Sequence, residues 1–142
     1  MSRTEALDRT ETYFQDGDFQ LELARRVAYR TESPALEQRS ELYRYLSDEL
    51  TPALESMGFS CRVHDNPIPE GCPFLVAHRH ESNDVPTVMS YGHGDVVLGY
   101  DDQWRDGLSP WAIVVEGDRW YGRGTADNKG QHTINLAAMR HV

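Results

Sequence analysis

His93 and Asp95 stand two residues apart in the stretch SYGHGDVV, directly after the apolar run VPTVM. On a strand, residues i and i+2 face the same side, so an imidazole and a carboxylate at this spacing converge. A histidine that binds a metal through one nitrogen commonly gives its other ring N–H to a carboxylate or carbonyl, which fixes tautomer and ring orientation. An H-x-D pair at the C-terminal end of a strand therefore suits a ligand and its orienter. Gly92 and Gly94 give the backbone room to turn and let a metal or substrate approach. Taken alone, the pair reads more readily as a solvent-facing histidine and a turn-making aspartate.

Asp127 is the second candidate, in the glycine-rich stretch WYGRGTADNKGQ between a β-like run and a helical one, where binding residues often sit. The stretch is not a phosphate cradle. Gly122-Arg123-Gly124 opens a G-x-G, but Asp127 occupies the place of the third glycine, and Lys129 lacks the Gly before it and the Ser/Thr after it that a P-loop requires. DDQWRDG offers carboxylates without the spacing or closing glutamate of a calcium loop. Arg123 reads as a salt-bridge partner before a holder of a substrate carboxylate. His78 and His80 share an exposed strand face, His64 falls in a loop, and His132 and His141 belong to the surface of the last helix. Trp104, Trp111 and Trp120 read as packing around a hairpin.

The elements that must position these groups follow from periodicity. Residues 1–17 read as a loosely docked lead-in. Asp18 is set to cap a helix over FQLELARRVAYR, where Phe19, Leu23 and Val27 recur every four residues. A longer helix begins near Pro34, with Leu36, Tyr43, Leu46, Leu50, Leu54 and Met57 on one stripe and Gly58 as its stop. Pro52 should kink or split it. FSCRV, PFLVAHRH and PTVMSYG predict three strands, with Phe74–Ala77 and Thr87–Ser90 as inner ones because their apolar runs lack polar alternation. WAIVVEGDRWYG predicts a hairpin turning at Glu116-Gly117-Asp118, and NKGQHTINLAAMRHV a helix. Helices, strands, a hairpin and a helix in this order describe an α/β layered domain.

A chain of 142 residues has the length of one domain. Apolar residues make up 39% and charged residues 26%, and the net charge is −9. That acidity disfavours nucleic acid and anionic membranes as partners. No run approaches the roughly 20 apolar residues of a membrane span. The polar start MSRTEALDRTETYFQDGD lacks the apolar core of a signal peptide, and Cys61 and Cys72 form no CxxC pair. A cytoplasmic setting with free thiols is the expectation.

The apolar strand, GHGDVV, a Trp-containing loop, a hairpin and GRGTADNKG opening a helix together resemble one family over about Val85 to Gln131. It is the di-zinc metallopeptidase family that includes acetylornithine deacetylase, succinyl-diaminopimelate desuccinylase, carboxypeptidase G and carnosinase-like dipeptidases. The resemblance implies a three-layer α/β sandwich with a mixed sheet. It makes His93 a ligand of one zinc, Asp127 the carboxylate bridging two zincs, and Asp95 the catalytic-site aspartate that orients the histidine. Two zinc ions, replaceable by cobalt or manganese, are the implied cofactors, and a small peptide or N-acyl amino acid the implied substrate. The Asp127–Asn128 peptide is expected to be cis. Family members often carry Pro after the two valines and Pro-Phe further on. Here Leu98-Gly99-Tyr100 and Pro110-Trp111 stand instead, which leaves substrate choice open.

The family's general base belongs to a Glu-Glu pair after the helix that follows D-x-K-G, and this sequence contains no Glu-Glu. One His and one Asp are too few donors for tight zinc binding. Residues 1–142 are therefore expected to be the N-terminal portion of a catalytic domain whose remainder, any lid domain and any homodimer belong to a longer parent. The final helical run, which lacks a stop signal, fits that expectation. A truncated, non-catalytic relative serving as a binding module is the competing expectation. A mononuclear metal domain using His93, Asp127 and a further histidine is the third.

Overall fold

The computed structural model describes residues 1–141, so the expectation for Val142 at the end of the helical run lies outside the described residues. The chain opens with helix α1, Arg3–Gln15, where a loose lead-in was expected. The overlooked signal is a capping box: Ser2 Oγ accepts from the Glu5 amide, and the Glu5 carboxylate accepts from the Ser2 amide. The helix is docked through Tyr13, which is buried with its ring 6.3 Å from Phe19 and 5.0 Å from His141.

Helix α2, Asp18–Ala28, is capped by Gly17 at φ +85°, and Asp18 lies in its first turn instead of at the cap. There its carboxylate still meets the positive end of the helix dipole. Leu23 and Val27 are buried as their four-residue spacing predicts. So is Arg26, whose guanidinium meets Glu22 at 3.3 Å and Glu49 at 3.2 Å.

After a 3₁₀ turn at Leu36–Gln38, helix α3 (Arg39–Arg44) passes into a π-helical segment, Tyr45–Leu50, and then into α4, Thr51–Glu55. Pro52 explains the widening. It has no N–H to give the Asp48 carbonyl, and its ring needs that turn opened. The Thr51 amide instead reaches the Leu46 carbonyl, as does Thr51 Oγ1 at 2.8 Å. The buried set is Leu42, Tyr45, Leu46 and Leu54, while Leu36, in the 3₁₀ turn before α3, is exposed. Gly58, at φ +84°, ends the run.

Strands β1 (Ser60–His64) and β2 (Phe74–His78) pair antiparallel, Ser60 opposite His78 and His64 opposite Phe74. His64 thus ends a strand, where a loop was expected, and stacks on Phe74 at 5.5 Å. Strands β3 (Val114–Glu116) and β4 (Arg119–Tyr121) form the expected hairpin about Gly117, at φ +57°. An isolated parallel bridge joins Glu32 to Val96. Helix α5, Lys129–His141, packs against α1 and α2. The chain is α/β, as expected.

The two inner-strand assignments do not hold. Among the described residues, strand β2 pairs on one edge only and leaves Phe74 and Val76 exposed. Thr87–Ser90 joins no ladder among the described residues, and Val88 and Met89 are 88% and 91% exposed. An apolar run records a side chain's preference for burial. An inner strand also needs hydrogen-bonded neighbours on both edges, and the run does not encode those.

Candidate functional site

The segment carrying His93 is fixed from two sides. Thr31, fully buried, donates its hydroxyl to the Gly94 carbonyl at 2.6 Å, and its own carbonyl accepts from the Val96 amide at 2.8 Å. From the other side, the Asn128 side-chain oxygen accepts the His93 amide at 3.1 Å. The flanking glycines also serve packing. A Cβ on Gly92 would lie 2.7 Å from His132 Cβ, and one on Gly94 would lie 2.4 Å from the Tyr45 ring.

This anchoring brings the three sequence-predicted residues together. His93 Nδ1 is 3.2 Å from Asp95 Oδ1 and equally 3.2 Å from the Asp95 carbonyl oxygen. His93 Nε2 is 3.0 Å from Asp127 Oδ1. The Asp127 side chain is 85% exposed, at the mouth of an open cleft of about 290 Å³ walled by Val96, Val97, Arg123 and Thr125. The Asp127–Asn128 peptide is cis.

The loop that carries Asp127 is pressed onto the start of α5. The Gly130 amide donates to the Gly124 carbonyl at 3.1 Å, and a Cβ on Gly130 would fall 1.9 Å from the Thr125 carbonyl oxygen. Beneath it, Lys129 is buried, donates to the Tyr29 carbonyl at 2.6 Å and lies over the Tyr45 ring. Burial pushes its ammonium down to about 7, against the pull of Asp95 and Glu41.

His132 corrects the expectation of a surface role. It is 8% exposed, and its Nε2 lies 2.5 Å from the Tyr45 hydroxyl. Burial pushes the Tyr45 phenol up, so the phenol stays protonated and donates to a neutral imidazole. Burial, then the Arg26 and Lys129 charges, hold His132 down at about 4, while the His93 backbone opposes them. The missed signal is the spacing: Lys129, His132, Thr133, Leu136 and Ala137 follow one buried helical stripe. His141, half-buried against Tyr13, departs from a surface role too.

Arg123 makes no salt bridge among the described residues, where one was anticipated. Its guanidinium donates to the Gly99 carbonyl at 3.3 Å and lies over the Trp104 ring. Trp104 also donates to Gly99, Trp111 donates to Asp101, and Glu32 accepts the Gly99 amide at 2.8 Å. These two tryptophans fasten the 98–111 loop beside the cleft. Trp120 packs the hairpin against Phe14 and Phe19 as expected. His78 and His80 are exposed, as expected.

An imidazole nitrogen beside an accessible carboxylate is a donor pair of the type zinc accepts, so the chemistry of the residues present fits that metal in part. Among the described residues, no group of three or more His, Cys, Asp or Glu side chains is arranged to hold a metal ion. No helix among them is long and apolar enough to cross a membrane.

Residues 89–142 match the family described as Peptidase family M20/M25/M40. The chain is 32% identical over 94 residues to a cysteinylglycine-S-conjugate dipeptidase of Corynebacterium striatum, covering 66% of this chain and 20% of that protein. It is 37% identical over 91 residues to a succinyl-diaminopimelate desuccinylase of Gluconobacter oxydans (strain 621H), covering 63% of this chain and 23% of that one. The fold superposes on the crystal structure of human carnosine dipeptidase 1 with a TM-score of 0.84 at 25% identity, covering 97% of this chain and 30% of that chain. The chain thus spans about a fifth of the length of these curated relatives. The matched residues contain His93, Asp95 and Asp127, and these likenesses in sequence and in fold agree in making the chain similar to Peptidase family M20/M25/M40.

Proposed function

We propose that the full-length parent hydrolyses an amide bond in a small peptide or N-acyl amino acid, with zinc held in part by His93 and Asp127. The observation that carries this reading is His93 Nε2 at 3.0 Å from Asp127 Oδ1, with Asp95 on the opposite ring nitrogen. Zinc, when bound, supplies Lewis acidity, which acidifies water and polarises a carbonyl. The chain's own part is positional. Asp95 keeps the proton on Nδ1, so Nε2 presents its lone pair. Asp127, exposed at the cleft, offers a second donor. Residues 1–142 constitute the N-terminal portion of the catalytic domain and do not turn over substrate alone. The absence of a Glu-Glu pair supports this, since the family's general base belongs to such a pair.

The test compares parent and chain. In the parent, His93→Ala and Asp127→Ala should each lower bound zinc, measured by elemental analysis, and abolish hydrolysis of a panel of dipeptides and N-acyl amino acids. Asp95→Asn should retain the metal and slow turnover, because an amide does not hold the imidazole tautomer as a carboxylate does. Full activity of the Asp127→Ala parent overturns the proposed site. Robust zinc-dependent hydrolysis by the 142-residue chain overturns its proposed inactivity.

A further inference from the structure

Two amide side chains at the start of α5, Asn128 just before it and Gln131 in its first turn, have no place in the reading above. Asn128 Oδ1 accepts the His93 amide at 3.1 Å, while Asn128 Nδ2 donates to Gln131 Oε1 at 2.5 Å. An amide that accepts on one side and donates on the other has its orientation fixed by its partners. The main chain of Asn128 is held as well, because its carbonyl accepts the His132 amide at 3.0 Å. Asn128 Oδ1 also lies where a Gly92 Cβ would come within 3.2 Å, so the absence of a side chain at 92 lets the amide reach the backbone of 93.

We propose that Asn128 is a positioning residue that clamps the His93 backbone to the start of α5 and so sets the imidazole against Asp127, its own neighbour in sequence. Gln131 keeps the clamp oxygen facing His93. The same short segment then delivers both partners: Asp127 as the carboxylate and Asn128 as the group that presents the imidazole to it. Misplacement of His93 moves one member of the pair relative to the other, whereas movement of the segment as a body carries both. The consequence for metal affinity rests on the zinc reading above; the clamp itself does not.

The experiment uses the 142-residue chain and two NMR measurements. Amide hydrogen exchange at His93 is followed in wild type, Asn128→Ala and Asn128→Asp, with Val96, whose amide donates to Thr31, as an internal reference. Asn128→Ala should lower His93 protection about tenfold relative to Val96, as loss of one hydrogen bond predicts, and Asn128→Asp, which keeps an acceptor oxygen, should restore it. General loosening of the fold would lower both amides together and leave their ratio unchanged. Addition of Zn²⁺, read at the His93 ring protons, should give an apparent Kd about tenfold weaker in Asn128→Ala, the scale of lost orienting contacts.

Unchanged His93 protection relative to Val96 in Asn128→Ala overturns the clamp. Lost protection with an unchanged Zn²⁺ Kd overturns its role in presenting the imidazole. Wild-type ring signals that do not respond to Zn²⁺ count against the zinc reading, and the exchange ratio still decides the clamp.

Discussion

Protonation of His132 should make the fold acid-labile in a defined window. In the unfolded chain the imidazole titrates near its ordinary 6.5; in the fold, burial and the Arg26 and Lys129 charges hold it at about 4. The unfolded state therefore binds the proton more tightly. Stability from this group is complete above about pH 6.5, falls by about 1.4 kcal/mol per pH unit below that, and levels off under about pH 4. Between pH 8 and pH 5 the loss is about 2 kcal/mol, a large share of what a small domain has. The groups facing the ring are Tyr45, Arg26, Lys129 and His93, so His132→Gln retains an acceptor for the Tyr45 hydroxyl without a titrating site. Urea unfolding with a chelator present, at half-unit steps from pH 4 to 8, gives the stability of each protein. The difference between wild type and His132→Gln should change by about 2 kcal/mol across pH 8 to 5, wild type losing more. A difference that stays flat refutes the buried neutral imidazole.

Gly130→Ala should destabilise the chain by about 3 kcal/mol or more, because its methyl meets a backbone oxygen at 1.9 Å and no flexible side chain can yield; an unchanged urea midpoint contradicts that packing. Arg26→Met should cost about 2–3 kcal/mol, since it removes the cation that Glu22 and Glu49 share although Arg140 and Arg25 still face them, and a loss under 1 kcal/mol would show that pairing to be dispensable. Tyr13, which burial and Glu22 push up to about 12, should titrate late in an ultraviolet titration, ahead only of the more deeply buried Tyr45. Its raised value stabilises the fold below pH 10, and that contribution is lost from about pH 10 to 12; Tyr13→Phe should remove the step near pH 12 and leave the later Tyr45 step.

Local chemistry was the legible part of this sequence. The hairpin at Gly117, the β1 and β2 runs and the stop at Gly58 each follow from residues adjacent in the chain. His93, Asp95 and Asp127 could be singled out as candidates because their motif residues are local too. What sequence reading missed depends on partners distant in the chain. Tyr45 lies 87 positions from the His132 it bonds, and Lys129 lies 100 from the Tyr29 carbonyl. Lead-in residues 1–17 were misjudged for a different reason. Their overall polarity hid the Ser2–Glu5 capping box and the one buried anchor, Tyr13. The π-helical segment shows an intermediate case: Pro52 announced a defect, but the way the helix absorbs it, by one inserted residue, is set by which stripe must face the core.

The unpaired stretch from Val85 to Tyr91 has a practical consequence for anyone handling this chain. A segment that joins no ladder among the described residues and exposes Val88, Met89 and Tyr91 is a surface onto which another copy can add. What opposes such association is the net charge of −9, which makes copies repel at a distance. Salt shortens that repulsion to roughly 10 Å at 0.1 M and roughly 3 Å at 1 M, while the apolar attraction remains. Colloidal stability should therefore fall as ionic strength rises, and dilute, low-salt buffers should favour single copies of the chain.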